Sequence, residues 1–149
     1  MAKLKVGDKV PDFSATAEDG STIRLADLIG RRSLVLFFYP KDGSPICTKE
    51  VCSFRDSYEQ FVHAGAEVIG VSSDSTTSHQ SFARQHKLPF RLISDTDGSL
   101  RKAFGVPTTA RVLPGRATYV IDAEGVLRLA FSAQFASREH VEQALRVLG

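Results

Sequence analysis

Residues 34–39, Leu-Val-Leu-Phe-Phe-Tyr, are apolar without a break. A run of that length reads as a strand buried on both faces. Such a strand needs cover above and below, so the fold must place its sheet between packed layers. Residues 66–72, Ala-Glu-Val-Ile-Gly-Val-Ser, read as a second buried strand. Between the two, from about Pro45 to Ala64, the period changes. Cys47, Val51, Phe54, Tyr58 and Phe61 recur at helical spacing, and Gly65 supplies the stop.

The remaining elements follow the same alternation. Residues 13–17 alternate and meet the turn Glu18-Asp19-Gly20-Ser21, an N-terminal β-hairpin signal. Residues 25–29 read as a short helix stopped by Gly30. Residues 75–87 read as a helix capped by Asp74 or Ser75, and residues 90–94 as a short strand. Residues 99–104 form a short helix ending at Gly105. The stretches 117–122 and 126–131 flank the hairpin signal Ala123-Glu124-Gly125. Val141, Ala144, Leu145 and Leu148 mark a C-terminal helix with Ser137 as its cap. The order β-α-β-α-β-α-β-β-α predicts an α/β fold, a mixed central sheet with helices on both faces and an antiparallel edge. With no repeat, linker or low-complexity run, residues 1–149 are expected to form a single domain.

Composition excludes several function classes. The net charge is only +2, and the basic residues are scattered singly or in pairs such as Arg31-Arg32. No nucleic-acid partner and no membrane partner is therefore expected. No apolar stretch approaches the roughly 18 residues of a membrane span. The first eight residues lack an apolar core followed by a cleavage site, so the expected location is cytoplasmic. A mature chloroplast protein without its transit peptide would read the same way.

Two cysteines occur, Cys47 and Cys52, both where the first buried strand gives way to a helix. Strand ends in open α/β sheets are where such folds put their chemistry. In the first turn of that helix, Cys47 faces unpaired backbone N–H groups and the positive end of the dipole, which favour a thiolate. Pro45 suits the start of the helix, and Ser44 offers a hydroxyl close by. Cys47 shares the apolar face, whereas Cys52 lies 140° further round, at about 100° per residue, with Arg55, Asp56 and Glu59. One thiol is thus sheltered, and the other leans toward solvent. Five residues on an ideal helix separate the two Cα atoms by roughly 8–9 Å. A disulfide needs about 7 Å or less, so a bond between them requires local unwinding.

Three plainer readings compete. A buried cysteine is usually a small hydrophobe. A metal site needs two more ligands, and His63, His79, His86 and His140 show no zinc-type spacing, so neither metal nor cofactor is expected. The C-x-x-C of a thioredoxin-type dithiol is absent, although thiol exchange remains chemically possible. Arg55 reads as a surface ion-pair residue, and His79 and His86 read as surface residues on one helix face. Phe37, Phe38 and Tyr39 read as core.

The run from Tyr39 to Asp56, with Pro40, Ser44 and Cys47 in the pattern P-x-x-x-[ST]-x-x-C, resembles the active-site segment of peroxiredoxins. More closely, it resembles the peroxiredoxin Q group, also called bacterioferritin comigratory protein. The likeness continues through residues 64–72, Leu88-Pro89-Phe90, Ser94-Asp95, Gly105-Val106-Pro107 and residues 113–122, and spans about 6–148. It implies a thioredoxin-like fold and a monomeric thiol peroxidase for hydrogen peroxide and organic hydroperoxides, re-reduced by thioredoxin or a similar dithiol. By the same likeness Cys47 is the peroxidatic cysteine, Cys52 the resolving one and Arg116 the active-site arginine. Pro40 shields the pocket, Ser44 stands where threonine is commoner, and Glu50 helps orient the arginine. The group commonly has glycine where this chain has Ile46, which narrows the peroxide entrance. Cys52, absent from many relatives, implies an intramolecular Cys47–Cys52 disulfide. A peroxide-sensing switch without turnover and a pure thiol–disulfide exchanger are the competing functions.

Overall fold

The computed structural model describes residues 4–28, 30–106, 108–109, 113–114, 116–132 and 137–148. Ile29, Pro107, Gly115 and the side chain of Ser137, all used above, lie outside what it describes. The chain runs β1 (Ser14–Thr16), β2 (Thr22–Arg24), α1 (Leu25–Leu28), β3 (Ser33–Phe38), α2 (Pro45–Asp56), α3 (Tyr58–His63) and β4 (Ala66–Ser72). It continues through α4 (Thr76–His86), β5 (Arg91–Ser94), α5 (Ser99–Phe104), β6 (Thr108–Thr109), β7 (Leu113–Pro114), β8 (Ala117–Ile121), β9 (Leu127–Ser132) and α6 (Ser137–Leu148). Five strands form the central sheet in the order β5-β4-β3-β8-β9. The first three are mutually parallel, β8 runs antiparallel to β3, and β9 closes an antiparallel edge. The β1–β2 hairpin joins the opposite edge through a bridge between Ala17 and Ile93.

The apolar run of β3 is explained by its two faces. Leu34, Leu36 and Phe38 point into one core with Leu25, Leu100 and Phe104 from α1 and α5. Val35, Phe37 and the following Tyr39 point into the other, with Phe54, Phe61, Phe82, Val141 and Ala144 from α2, α3, α4 and α6. Period-two alternation with both faces covered is what an unbroken hydrophobic strand encodes. Phe37 stacks on Phe54 at 4.2 Å between ring centroids, which seats α2 on the sheet. Gly70 allows this aromatic layer to close, because a Cβ there would lie 2.8 Å from both Leu92 Cδ2 and Phe37 Cζ.

One helix differs from its expectation. The stretch 45–64 is two helices, broken at Ser57, whose φ of −102° and ψ of 8° leave helical geometry. Serine competes for backbone hydrogen bonds, and the apolar spacing alone does not register that interruption. The stop at Gly65 is real, with φ +76°. Among the described residues no helix is long and apolar enough to cross a membrane.

Candidate active site

The register of two strands assembles the site. Phe38 pairs with Ala117 across the β3–β8 ladder, so Arg116 sits beside the point where β3 ends and the chain turns toward α2. Ser44 caps α2 and Pro45 occupies its first turn. The Cys47 N–H donates to Ser44 Oγ over 3.4 Å, a long contact, and the Thr48 N–H donates to the Ser44 carbonyl at 2.9 Å. Arg116, 69 positions away in sequence, donates from Nη2 to Cys47 Sγ at 3.2 Å. From Nη1 it donates to Glu50 Oε1 at 2.9 Å. Glu50 follows Cys47 by three residues, so both side chains share a helix face. Cys47, Glu50 and Arg116 are all buried, with Arg116 the most exposed at 4%. The structure therefore brings together the sulfur, the cation and the carboxylate expected at this site. Arg116 Nε, although buried, has no hydrogen-bond partner among the described residues.

Burial pushes the Glu50 carboxyl up to about 7, against the pull of the Arg116 hydrogen bond and charge. Its ordinary value is 4.5. Between these two values the folded state keeps the proton and the unfolded chain has released it, so stability falls as pH rises through that window. The full difference corresponds to on the order of 3 kcal/mol. Urea unfolding at pH 5 and pH 7.5 should show this decline in the wild type, and Glu50→Gln should remove most of it. An equal decline in the variant would assign the pH dependence to other groups.

Pro40 stands half-buried just beyond β3. Its loop is tied down by a network that the sequence does not announce. Asp42 accepts from Tyr39 Oη at 2.6 Å and from the Ser78 hydroxyl at 2.8 Å, and its Oδ2 lies 2.7 Å from His79 Nδ1. Its own N–H donates to Asp74 Oδ2 at 2.8 Å. Burial alone would raise the Asp42 carboxyl, yet the bonds from His79 and Tyr39 and the charge of His79 hold it below its ordinary value. Asp42, Asp74 and His79 bring three ligand-type atoms within 4.8 Å, and each of these atoms already makes a hydrogen bond within the network. His79 is fully buried, which corrects its expectation as a surface residue. Its face of α4 packs over the ends of β4 and β5, and Nε2 lies 3.0 Å from the Ile93 carbonyl.

Cys52 is also more sheltered than its helical phase implies. It is half-buried, with Sγ 3.7 Å from Nδ1 of His86, itself half-buried at the end of α4. Phase on a single helix does not include a neighbouring element that closes over it. Arg55 makes the expected surface ion pair with Asp56 at 3.0 Å and also donates to the His86 carbonyl at 2.8 Å. His140, fully buried on α6, lies with Nδ1 2.8 Å from Thr118 Oγ1 and 3.6 Å from Glu50 Oε2. A single histidine on the apolar face of the last helix is the sequence cue to it; the adjacency of β8 to β3 that brings Thr118 within reach is seen only in the fold. Ile46 is exposed beside Pro45, Thr48, Lys49 and Cys52, with which it lines a shallow depression. Both cysteines are free thiols on one continuous helix.

Known proteins resemble this chain in sequence and in fold. The family model described as the AhpC/TSA family matches residues 6–130. The chloroplastic peroxiredoxin Q of Populus jackii is 45% identical over 149 residues, 99% of this chain and 70% of that protein. The solved structure of peroxidoxin BcpB from Mycobacterium tuberculosis is similar with a TM-score of 0.89 at 34% identity, covering 97% of this chain and 96% of that one. A structure of the bacterioferritin comigratory protein of Xanthomonas campestris, whose alkyl peroxide reduction activity it addresses, has a TM-score of 0.81 at 32% identity and covers 90% of each chain.

Proposed function

The chain belongs to the AhpC/TSA family, within the peroxiredoxin Q group of thiol peroxidases, and on that premise we propose that Cys47 is the sulfur that attacks the peroxide. The observation that carries this reading is the buried contact of Arg116 with Cys47 Sγ at 3.2 Å. A guanidinium beside the sulfur stabilises the negative charge with which it attacks. Its fixed fork, held on the other side by Glu50, also favours charge developing on the departing oxygen. Among the described residues Arg116 Nε is a buried donor without a partner, and we assign it to a peroxide oxygen. By the family likeness Pro40 is the residue we assign to shielding the sulfur from water, and the Ser44 hydroxyl lies at the start of the same helix.

The Cys47 thiolate attacks one peroxide oxygen, the O–O bond breaks, and the other oxygen leaves with the bonding pair to be protonated. The product is a sulfenic acid at Cys47. Cys52 then displaces hydroxide from that sulfur to give a Cys47–Cys52 disulfide and water. Rise and radius separate the two Cα atoms on α2 by roughly 8–9 Å, so the first turn must open for the bond to form. An external dithiol returns both thiols, and thioredoxin is the reductant we propose. The exposed surface of Pro45, Ile46 and Lys49 beside Cys52 gives such a protein access. Hydrogen peroxide and organic hydroperoxides are the proposed substrates, the latter by analogy with the Xanthomonas protein.

We further propose a single-domain monomer. The exposed large hydrophobics among the described residues, Val6, Ile46, Val62 and Val147, come from four separate segments of the chain. A cytoplasmic location suits thiols that must be re-reduced, and a chloroplast would meet the same condition. A sensor without turnover is the weaker reading, because it does not need a buried Arg116–Glu50 pair aimed at the sulfur.

Mass spectrometry after one equivalent of hydrogen peroxide tests the cycle. The wild type should lose two hydrogens and yield a linked Cys47–Cys52 peptide. Cys52→Ser should instead accumulate a sulfenic acid at Cys47 that dimedone traps. An oxidised wild type without the linked peptide would overturn the resolving step.

A further inference from the structure

Resolution requires a thiolate at Cys52, because the neutral thiol is a poor nucleophile. The surroundings of Cys52 work against that form. Burial pushes its thiol up and Asp56 adds to the rise, while Arg55 pulls the other way. Yet Sγ lies 3.7 Å from Nδ1 of His86. The imidazole is held in place, packed edge-on against Phe82 at 4.7 Å and braced by the bond from Arg55 Nη1 to the His86 carbonyl. Histidine is the side chain whose ordinary titration lies closest to neutrality, so it can accept a proton from a thiol there.

We propose that His86 is the general base of the resolving step, taking the proton of Cys52 so that its sulfur can attack Cys47; this rests on the reading of Cys52 as the resolving thiol. The S–H bond of Cys52 breaks and its proton passes to His86 Nδ1. The Cys52 sulfur attacks the Cys47 sulfenic sulfur, the S–S bond forms, and the S–O bond breaks. The departing hydroxide takes up the proton held on His86, leaving water and a neutral imidazole. One sulfur is oxidised and the other reduced, so no external oxidant enters.

The same contacts indicate which thiol moves. Cys47 sits in the first turn of α2, at its N-terminal end, whereas Cys52 lies in its second half, tied to α4 by both His86 and Arg55. The Cys52–His86 pair therefore persists as the first turn opens and Cys47 is delivered to it. The charged groups facing the pair are Arg55 and Asp56 on α2, with Lys49 across the shallow depression.

Cys47→Ser isolates Cys52 as the only thiol in the chain. In that background the pH profile of Cys52 alkylation by iodoacetamide reads its thiolate fraction. Adding His86→Phe should shift the profile to higher pH and slow alkylation at pH 7 about tenfold. His86→Asn, polar but not basic in this range, should behave like His86→Phe. With both cysteines present, rapid-quench mass spectrometry should show disulfide formation slowed to a similar degree relative to sulfenic acid formation. Unchanged profiles in both variants, or full rescue by His86→Asn, would overturn the base assignment. If the wild type forms no Cys47–Cys52 disulfide, the resolving role itself falls, and the alkylation profile still decides whether His86 acts as a base toward Cys52.

Discussion

Cys47→Ser is expected to abolish peroxide consumption, with turnover falling about 10⁴-fold or more. The substitution is nearly isosteric, and the hydroxyl can still accept from Arg116, so the fold and the buried pair should survive. What disappears is a polarisable anionic nucleophile, since a serine hydroxyl stays protonated near neutral pH without a dedicated base. Cys52 cannot replace it, because Arg116 reaches Cys47 and Glu50, both on the sheet-facing side of α2. The measurement is peroxide loss in a thioredoxin-coupled assay, with circular dichroism to verify folding. Near-normal turnover would sink the assignment of Cys47.

Arg116→Ala should separate rate from stability. Removing the guanidinium leaves Cys47 without its donor and should slow its oxidation by about 10²–10³-fold. It also strands Glu50 in a fully buried position. Breaking a buried ion pair in this way costs about 3–5 kcal/mol where the remaining group stays charged. Glu50, already pushed up to about 7, rises further without Arg116, so the cost should be smaller at pH 5.5 than at pH 8. The double variant Arg116→Ala with Glu50→Gln should recover much of the stability and none of the rate. Arg116→Lys should fall between, because a single ammonium lacks the fork that serves Sγ and Oε1 together. Competition with a haem peroxidase for hydrogen peroxide gives the rate, and urea unfolding gives the stability. An oxidation rate for Arg116→Ala within threefold of wild type would remove the arginine from the mechanism.

Much of this was legible along the chain because local chemistry repeats locally. The buried strands, the cap at Ser75 (one of two candidates) and the stops at Gly65 and Gly105 each depend on a few neighbouring residues. Cys47, Cys52 and Ser44 could be read together for the same reason, whereas Pro40 and Glu50, within the same 13 consecutive positions, took their roles only from likeness to a family. Arg116 was reachable only through likeness to a family, because nothing in the residues around it differs from a solvated arginine at a strand start. The histidines show the other limit. His79 and His86 share one face of α4, and its sequence gives no sign that one end of that face closes over Asp42 and the other over Cys52.

Two thiols at a strand end, unequal in helical phase and too far apart on a regular helix to bond, were determined by sequence alone. Spacing on a helix is a property of the chain itself. Which groups surround each thiol was decided only by tertiary structure. Cys47 meets Arg116 because β8 pairs with β3, and Cys52 meets His86 because α4 lies against α2. The physical reason is that burial and charge act through space. A guanidinium 69 residues away and an imidazole 34 residues away each lie within 4 Å of a sulfur only after the sheet has formed and its helices have packed.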